Sequence, residues 1–155
     1  MPKRFSVRPL RRSDLDCILE IEHLSFGKDA YDRNLFAEFF HKCGDLFLVV
    51  EWDRKVRGYM LTCIRGQGAS GSAELVSVAV DPAVRGKGAA SALMESTLRR
   101  LRLRGIGRLG LMVRVTNQEA RAFYQKYGFR KVRTVRGYYE DGGDGWLMAR
   151  TERRP

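Results

Sequence analysis

The sequence holds few residues of the kinds that build metal centres or disulfide frameworks. Its 155 residues include only three cysteines and two histidines. The cysteines, Cys17, Cys43 and Cys63, are odd in number, and no two of them form a C-x-x-C pair. This pattern argues against a disulfide scaffold and against a zinc site. We therefore expect a protein of the reducing cytosol that binds no metal.

Long apolar runs are also missing. No stretch approaches the roughly 20 apolar residues that a membrane-spanning helix needs. The amino-terminal MPKRFSVRPLRR is basic, and no apolar segment of about 7–15 residues follows it, so a secretory signal is not expected. With 44% hydrophobic and 30% charged residues, the composition is typical of a folded globular protein. We expect a single domain over residues 1–155, located in the cytoplasm.

Positive charge is abundant, and it is concentrated in one segment. Lys and Arg number 29 against 18 Asp and Glu, which gives a formal net charge of +11. Between Arg85 and Arg133 there are 13 basic residues and two acids, Glu95 and Glu119, whereas 16 bases face 16 acids elsewhere. This segment predicts a positive surface that attracts an anion. On charge alone, nucleic acid, membrane lipid and a phosphorylated cofactor are all candidates.

Hydrophobic periodicity and turn residues predict an alternation of strands and helices. Ser13 is expected to cap the first helix, because it precedes an apolar face at helical spacing. The predicted strands are residues 5–10, 46–52, 56–64, 73–80, 108–115, 129–137 and 145–150. The other predicted helices are residues 32–42, a long helix whose buried face runs from Ala90 to Leu101 and which Gly105 ends, and residues 116–126. The order β-α-α-β-β-β-α-β-α-β-β predicts a mixed α/β domain.

The segment Arg85-Gly86-Lys87-Gly88-Ala89-Ala90 stands between a predicted strand and a long predicted helix. Glycines allow the backbone to turn its amides inward, and the helix start adds unpaired N–H groups and the positive end of the helix dipole. The small Gly88 and Ala90 allow a pyrophosphate to approach the backbone, and Arg85 and Lys87 add charge. The segment predicts an anion site, the alternative being an ordinary turn with solvated basic side chains.

The pattern Arg85-x-x-Gly88-x-Ala90 resembles the Arg/Gln-x-x-Gly-x-Gly/Ala motif of the GNAT N-acetyltransferases, which binds the pyrophosphate of acetyl-CoA. The segments SVAVDPAVRGKGAASALM, LMVRVTNQEARAFYQKYGFRKV and GYYEDGGDGWLMAR are similar to the protein N-terminal branch, and most of all to the RimI-type ribosomal-protein alanine acetyltransferases. The resemblance extends over nearly the whole chain and is strongest from Glu74 to Phe129. It implies an α/β GNAT fold, a mixed and mostly antiparallel sheet with helices on both faces and the cofactor between two splayed central parallel strands.

The resemblance also implies which residues bind acetyl-CoA, the expected cofactor. The strand before the loop would offer backbone groups to the pantetheine arm and the acetyl carbonyl, and the loop amides would hold the pyrophosphate. The hydroxyl of Tyr124 would protonate the departing thiolate as a general acid, the alternative being a tyrosine of the core. The implied cofactor-binding residues are Val78, Ala79, Val80, Arg85, Gly86, Lys87, Gly88, Ala89, Ala90, Asn117 and Tyr124.

The general base is where the sequence departs from the RimI pattern. That pattern reads L-E-V-R where this chain has Leu111-Met112-Val113-Arg114, and methionine cannot accept a proton. Glu74 is the candidate catalytic replacement, because its place on the preceding strand resembles the base glutamate of the histone-acetylating branch. A solvated residue at the strand end is the alternative. An α-amine has a pKa of about 7.7–8.0 against about 10.4 for lysine, so the missing base favours an N-terminal acceptor.

Aromatic residues at two places match the peptide entrance of N-terminal acetyltransferases. Tyr138 and Tyr139 resemble the tyrosine pair that lines this entrance, and Phe26 and Tyr31 would face them from the loop between the first two helices. A cluster of aromatic residues at a strand end is the alternative. Cys63 has no histidine nearby in sequence, so we expect it in the core and not as an acyl-carrying nucleophile.

Together these features predict an acetyl-CoA-dependent N-acetyltransferase that acts on a protein N-terminus. A lysine or a small polyamine-like amine is the second acceptor class, and a basic nucleic-acid-binding module with the same fold is the third reading. Glu140, Asp141 and Asp144 near the expected entrance suit an amine better than nucleic acid. The four arginines of residues 99–104 predict a solvated helix face, with the ribosome or RNA as the alternative partner.

Overall fold

The strands and helices follow one another in the order that the sequence predicts, in a computed structural model that describes residues 5–65 and 71–152. The strands are β1 (Phe5–Pro9), β2 (Phe47–Trp52), β3 (Lys55–Arg65), β4 (Ser72–Val80), β5 (Arg108–Arg114), β6 (Arg130–Val135) and β7 (Gly145–Thr151). The α-helices are α1 (Leu15–Phe26), α2 (Arg33–Cys43), α3 (Ala89–Leu103) and α4 (Gln118–Lys126). Among the helices of the described residues, none is long and apolar enough to cross a membrane.

The strands form a mixed sheet with the order β1-β2-β3-β4-β5-β7-β6. Strands β1 and β2, β2 and β3, β5 and β7, and β6 and β7 pair antiparallel. Strands β4 and β5 pair in parallel, through Ser72–Glu74 and Arg108–Gly110. The predicted mixed, mostly antiparallel sheet is therefore confirmed.

The chain divides into two compact units. Unit 1 contains the chain up to Cys63 together with Val76–Leu103, and unit 2 contains Ile64–Leu75 and the chain from Arg104 onward. Strand β4 contributes its first half to unit 2 and its second half to unit 1. The single domain expected over residues 1–155 stays a prediction.

Unit 1 has helices on both faces of its strands. On one face, α1 and α2 cover an apolar cluster in which Phe36, Phe47 and Tyr59 are fully buried. Because side chains alternate along a strand, Met60 belongs to the opposite face, where the Thr97 hydroxyl of α3 donates a hydrogen bond to its Sδ at 3.4 Å. Both faces of these strands are thus removed from water, which explains why β2 and β3 read as almost continuous apolar runs.

The start of α1 differs from the sequence expectation. Ser13 does not cap it; the residue lies in a 3-10 turn over Arg12–Asp14, and Asp14 occupies the N-cap position. The Asp14 carboxylate accepts the backbone N–H of Arg11 at 2.7 Å and pairs with Arg8 at 2.8 Å. A partner on β1 therefore decides this helix start, which the local pattern around Ser13 could not indicate.

The cysteines also differ from the expectation that none of them is paired. Cys43, at the end of α2, forms a disulfide with Cys63 of β3, with 4.9 Å between their Cα atoms. Cys63 is buried in the core, as expected, and its sulfur is bonded rather than free. Cys17 is the free thiol of the three. The pairing joins residues 20 apart in sequence, so the spacing alone gave no indication of it.

Unit 2 buries one face of β5 and, on α4, the side chain of Tyr124. Leu109, Leu111 and Val113 are buried, whereas Met112 and Arg114, which alternate with them, are partly exposed. Helix α4 begins after Asn117, whose side-chain oxygen accepts the backbone N–H of Ala120 at 3.1 Å. Asparagine is among the residues preferred at this position, because its side-chain oxygen can accept an otherwise unpaired N–H of the first turn.

Candidate active site

The predicted anion loop of unit 1 is anchored at its beginning by Asp81. This carboxylate accepts the backbone N–H of Ala83 at 3.0 Å and pairs with the Arg57 guanidinium at 3.1 Å. The backbone N–H of Asp81 in turn donates to the Arg57 carbonyl at 2.7 Å. The Ala83 N–H, assisted by Arg57, lowers the pKa of Asp81, so the carboxylate stays ionised and holds the loop to β3.

Two glycines give this loop its backbone path. Gly86 and Gly88 have φ values of 76° and 97°, a region that side chains with a Cβ rarely adopt. The amides of Arg85 and Lys87 donate to the carbonyls of Pro82 and Val84, each at 3.3 Å. Among the predicted loop amides, those of Gly86, Gly88 and the first residues of α3 are therefore better candidates for an external anion.

The aromatic groups beside this loop come from β1 and β2. Lys87 places its Nζ 5.0 Å from the centre of the Trp52 ring, and Trp52 contacts Phe5 edge-to-face at 5.4 Å. A Cβ built on Gly88 would lie 3.9 Å from the Phe5 ring. Residues 85–88 are all exposed, and no acid lies in the first turn of α3. An exposed cationic turn at the start of a 15-residue helix fits a pyrophosphate group.

Strand β4 leads into this loop with alternating side chains. Ala79 is buried in the cluster under α1 and α2, and Val78 and Val80 are partly exposed. The carbonyl oxygen of Ala79 would lie 2.9 Å from a Cβ on Gly58, so glycine is needed there for β3 and β4 to approach. The three residues expected to offer backbone groups to the donor thus lie on a strand that packs closely against β3.

The loop between α1 and α2 is held by a carboxylate that the sequence analysis did not single out. Glu22, which is 1% exposed, accepts the backbone N–H of Tyr31 at 2.9 Å. The Tyr31 ring packs against Phe36 at 5.8 Å, while Phe26 is 41% exposed. Of the two aromatic residues expected at the entrance, Tyr31 is therefore fixed in place and Phe26 is open to solvent.

The other oxygen of Glu22 belongs to a hydrogen-bonded chain that crosses unit 1. The Tyr59 hydroxyl donates a short hydrogen bond to Glu22 Oε1, and the Ser77 Oγ lies 2.8 Å from the same hydroxyl. Burial is the main cause that raises the pKa of Glu22, and it also raises the pKa of Tyr59. The sequence contains one indication of this residue. Glu22 continues the helical spacing of Leu15 and Ile18, so a carboxylate stands at a position of the apolar helix face.

Tyr124 is the buried residue of α4 in unit 2. Its ring contacts Phe123 at 5.6 Å and Phe129 at 5.7 Å, both edge-to-face. Burial, assisted by the nearby Tyr139, raises the pKa of Tyr124 to about 12. The hydroxyl therefore keeps its proton at neutral pH, as a general acid must.

Met112 and the tyrosine pair of unit 2 converge on Gly145. A Cβ at Gly145 would lie 2.8 Å from the Met112 methyl group, 3.4 Å from the Tyr139 ring and 3.5 Å from the Tyr138 Cβ. The two tyrosine rings contact each other edge-to-face at 4.9 Å. The place where the RimI pattern has a carboxylate is thus a thioether beside two aromatic rings.

Charged groups surround this aromatic pair. The Arg114 guanidinium lies 4.1 Å from the centre of the Tyr139 ring and 3.1 Å from the Asp141 carboxylate. The N–H of Gly143, followed by Arg114, lowers the pKa of Asp141. Asp144 accepts the backbone N–H of Gly137 at 2.9 Å. Two of the acids expected near the entrance therefore also fix the turn between β6 and β7.

Glu74 has a different setting from the one that the base role calls for. Its side chain is 44% exposed and pairs with Arg65 at 3.5 Å, near the beginning of β4. This setting is the one described by the alternative of a solvated residue at the strand end, and the catalytic role of Glu74 stays a prediction. Asn117 is exposed at the start of α4 and uses its side-chain oxygen as a helix cap.

Comparison with known proteins places these features in a family. The sequence model of the "Acetyltransferase (GNAT) family" matches residues 14–129. An "N-alpha-acetyltransferase" of Saccharolobus solfataricus is 35% identical over 156 aligned positions that cover 94% of this chain and 92% of the relative. The crystal structure of Ard1 from Thermoplasma volcanium has a TM-score of 0.89 at 26% identity, covering 97% of this chain and 99% of that one.

A second solved structure comes from the bacterial branch that the sequence resembles. The ribosomal-protein-S18-alanine N-acetyltransferase of Escherichia coli has a TM-score of 0.82 at 26% identity, covering 97% of this chain and 96% of that one. The resemblance drawn from the loop motif and from the segments around it is therefore confirmed. The chain belongs to the acetyltransferase (GNAT) family, and it is an N-acetyltransferase that uses acetyl-CoA.

Proposed function

We propose that this enzyme transfers the acetyl group of acetyl-CoA to the α-amine of a protein N-terminus. The observation that carries the proposal is the similarity, over nearly the full length of both chains, to a relative named N-alpha-acetyltransferase. The chemistry at Met112 supports it. An α-amine titrates at about 7.7–8.0, so it loses a proton at neutral pH more readily than a lysine side chain does. An enzyme with a thioether where the RimI pattern has a carboxylate can therefore act on an α-amine more easily than on a lysine.

In unit 1, we propose that the Gly86, Gly88, Ala89 and Ala90 amides hold the pyrophosphate of the donor, assisted by the charges of Arg85 and Lys87. The backbone of residues 78–80 orients the pantetheine arm, and one of its amides polarises the acetyl carbonyl. Asp81 fixes the loop through the Ala83 N–H and Arg57. The donor supplies an activated thioester, and these groups bind it and draw charge onto its carbonyl oxygen.

In unit 2, we propose that Tyr124 donates its proton to the CoA sulfur as the C–S bond breaks. Its hydroxyl is protonated at neutral pH because its pKa is about 12. Asn117 contacts the donor from the start of α4. For the peptide, we propose contacts with Tyr138 and Tyr139 in unit 2, and with Phe26 and Tyr31 in unit 1. From the sequence pattern, Glu74 is one candidate for the base that accepts the amine proton; its carboxylate is exposed and pairs with Arg65.

The partner in this proposal is a newly made or ribosomal protein in the cytoplasm. The name of the Escherichia coli relative specifies the alanine of ribosomal protein S18 as its target. The exposed Arg99 and the other arginines at the end of α3 give a cationic face that suits a ribosomal surface.

A matched pair of peptides tests the acceptor class. One peptide has a free α-amine and no lysine, and the other has an acetylated N-terminus and one internal lysine. With acetyl-CoA and mass spectrometry, we expect product from the first peptide and little from the second. Comparable kcat/KM for the lysine peptide, or for a polyamine added as a third acceptor, would overturn the N-terminal assignment.

A further inference from the structure

Three polar side chains from three elements meet inside the apolar cluster of unit 1. Glu22 lies on α1, Tyr59 on β3 and Ser77 on β4, and the hydroxyl of Tyr59 joins the other two. Glu22 is 1% exposed and Tyr59 is fully buried. A buried polar group is costly unless its hydrogen bonds are made, so a connected set of three at this depth requires an explanation.

The surroundings of this network are aromatic. The Tyr59 ring contacts Phe36 at 5.4 Å and Phe47 at 5.8 Å. The titratable groups that act on the Glu22 carboxylate are Tyr59, which donates to it, and the exposed His23 next to it on α1; the side chain of Tyr31 acts on Tyr59. The described hydrogen bonds of Glu22 come from a tyrosine hydroxyl and a backbone N–H, which are neutral donors.

The direction of the hydrogen bonds depends on one proton. An ionised carboxylate only accepts, so Tyr59 must give its single proton to Glu22 and accept the hydroxyl proton of Ser77. Ser77 then presents its lone pairs to whatever lies beyond it. When Glu22 is protonated, the chain can reverse, and Ser77 presents a proton instead. The protonation state of Glu22 therefore determines whether the outer side of the Ser77 hydroxyl accepts or donates a hydrogen bond.

Ser77 is the member of the network that is open to solvent. It is partly exposed, whereas Glu22 and Tyr59 are buried. It also directly precedes Val78 on β4, the strand whose backbone is proposed above to polarise the acetyl carbonyl. An acceptor amine that attacks this carbonyl approaches the same stretch of β4, next to the lone pairs of Ser77.

We propose that Ser77, Tyr59 and Glu22 form a relay that removes a proton from the acceptor ammonium, an inference that rests on the proposed function. Ser77 contacts the amine, and Tyr59 and Glu22 act through Ser77. The ammonium proton passes to Ser77 as the Ser77 proton passes to Tyr59 and the Tyr59 proton passes to Glu22. The freed nitrogen lone pair forms the C–N bond. The carboxylate then returns this proton through the same chain to water.

The second proton that the ammonium loses must also be accounted for, together with the proton that the CoA sulfur gains. An ammonium that becomes an amide loses two protons, and the relay accounts for the first of them. As the C–S bond breaks, the thiolate takes a proton from Tyr124, the second nitrogen proton is released to water, and Tyr124 regains a proton from water. The reaction therefore produces CoA thiol, the acetylated amine and one proton, without any further reactant.

A purely structural role makes a different prediction. In that case Glu22 serves to hold the Tyr31 backbone and the loop after α1. Tyr59→Phe separates the two roles, because it keeps the ring among its aromatic neighbours and keeps the Glu22 contact with Tyr31, while it removes the hydroxyl that links Glu22 to Ser77. Thr62→Val is the matched control, since Thr62 is a buried hydroxyl on the same strand without a described hydrogen bond.

The experiment measures kcat/KM for the α-amine peptide from about pH 6 to 9, a range that includes the titration of an α-amine at about 7.7–8.0. For Tyr59→Phe and for Ser77→Ala we expect a loss on the order of 10²-fold at pH 7. The loss should shrink above the pKa of the amine, because a neutral amine needs no base. Thr62→Val should follow the wild-type profile, and the rise in Tm with added CoA should be the same in all four proteins.

The outcomes separate the relay from the proposed function. Wild-type enzyme that does not acetylate the α-amine peptide removes the proposed function. If the wild-type enzyme is active and either Ser77→Ala or Tyr59→Phe keeps the wild-type rate and pH profile, the relay is contradicted and the proposed function stands. A loss that is constant with pH also removes it, since this is the result expected from a disturbed structure. If Tyr59→Phe does not fold, the partly exposed Ser77→Ala variant decides the question.

Discussion

The two units place their candidate proton acceptors in opposite settings. In unit 1, Glu22 is 1% exposed and hydrogen-bonds to neutral donors. In unit 2, Glu74 is 44% exposed and pairs with Arg65. Burial raises the pKa of Glu22, whose hydrogen-bond donors are neutral, whereas Glu74 is exposed to water beside a guanidinium. Burial and partners, and not a place on a central strand, therefore decide which carboxylate is prepared to take a proton.

The two units also differ in which other groups of the proposed reaction they contain. Unit 1 has the candidate anion loop, whose path depends on Gly86, Gly88 and the Asp81 anchor. Unit 2 has a buried hydroxyl on Tyr124 and an aromatic pair beside Met112. If the comparison is right, variants in unit 1 change donor binding and proton removal, and variants in unit 2 change the departure of the thiol.

The largest effect is expected from Gly88→Glu. The new carboxylate repels phosphate, and its Cβ is strained at a φ of 97°. Wild-type Tm should rise with CoA, by the equivalent of about 2.7 kcal/mol at a concentration of 100 Kd, and the variant should show no rise. Gly105→Glu is the matched control, because Gly105 also has a positive φ, 72°, and lies at the far end of α3. A CoA-dependent rise in Gly88→Glu would contradict the anion loop.

The next largest effect is expected from Tyr124→Phe. The ring keeps its packing and loses the proposed acid, so kcat should fall by about 10²–10⁴-fold while CoA affinity is retained. Because the pKa of Tyr124 is about 12, the wild-type rate should show no falling limb from this residue near neutral pH. Tyr127→Phe removes a hydroxyl from the end of the same helix and should leave kcat unchanged. Equal kcat in both variants would return Tyr124 to a core role.

A smaller effect is expected from Glu74→Gln. Glu74 is exposed and pairs with Arg65 away from the buried network, so the loss of kcat/KM at pH 7 should stay below about 10-fold. Glu22→Gln in the same assay should lose on the order of 10²-fold, as the relay requires. A reversed order of the two variants would assign the base to Glu74. Met112→Glu, which adds a carboxylate beside Tyr139, should then recover part of the loss in Glu74→Gln.

The smallest effect concerns folding stability. Burial raises the pKa of Glu22 in the folded protein, so the folded state binds this proton more tightly than the unfolded state does. The contribution of Glu22 to stability is therefore full below its unfolded pKa and is lost as pH rises through its folded pKa. Glu22→Gln does not titrate. The Tm of Glu22→Gln minus the Tm of wild type should therefore increase as pH rises from about 4 to 7. A Tm difference that is constant with pH would contradict the buried setting.

Sequence reasoning succeeded where the determining contacts are local. The order of strands and helices follows from periodicity, and the loop path at Gly86 and Gly88 follows from glycine spacing before a helix. The Asn117 cap follows from residues three apart. The recognised motifs around the loop and Tyr124 identified the family. Each of these features depends on neighbours within a few residues, and the chain carries that information directly.

Only the tertiary structure decided how the polar and sulfur groups are partnered. The Tyr59 hydroxyl meets Glu22 from 37 residues away and Ser77 from 18 residues away, and Cys43 meets Cys63 across 20 residues. Such partners are selected when helices pack on strands, because a buried polar group takes whichever donor or acceptor the packing brings within reach. The sequence by itself determined the family and singled out the candidate anion loop and the candidate acid; the packing of α1 against β3 and β4 decided which carboxylate is buried, and with it the candidate base.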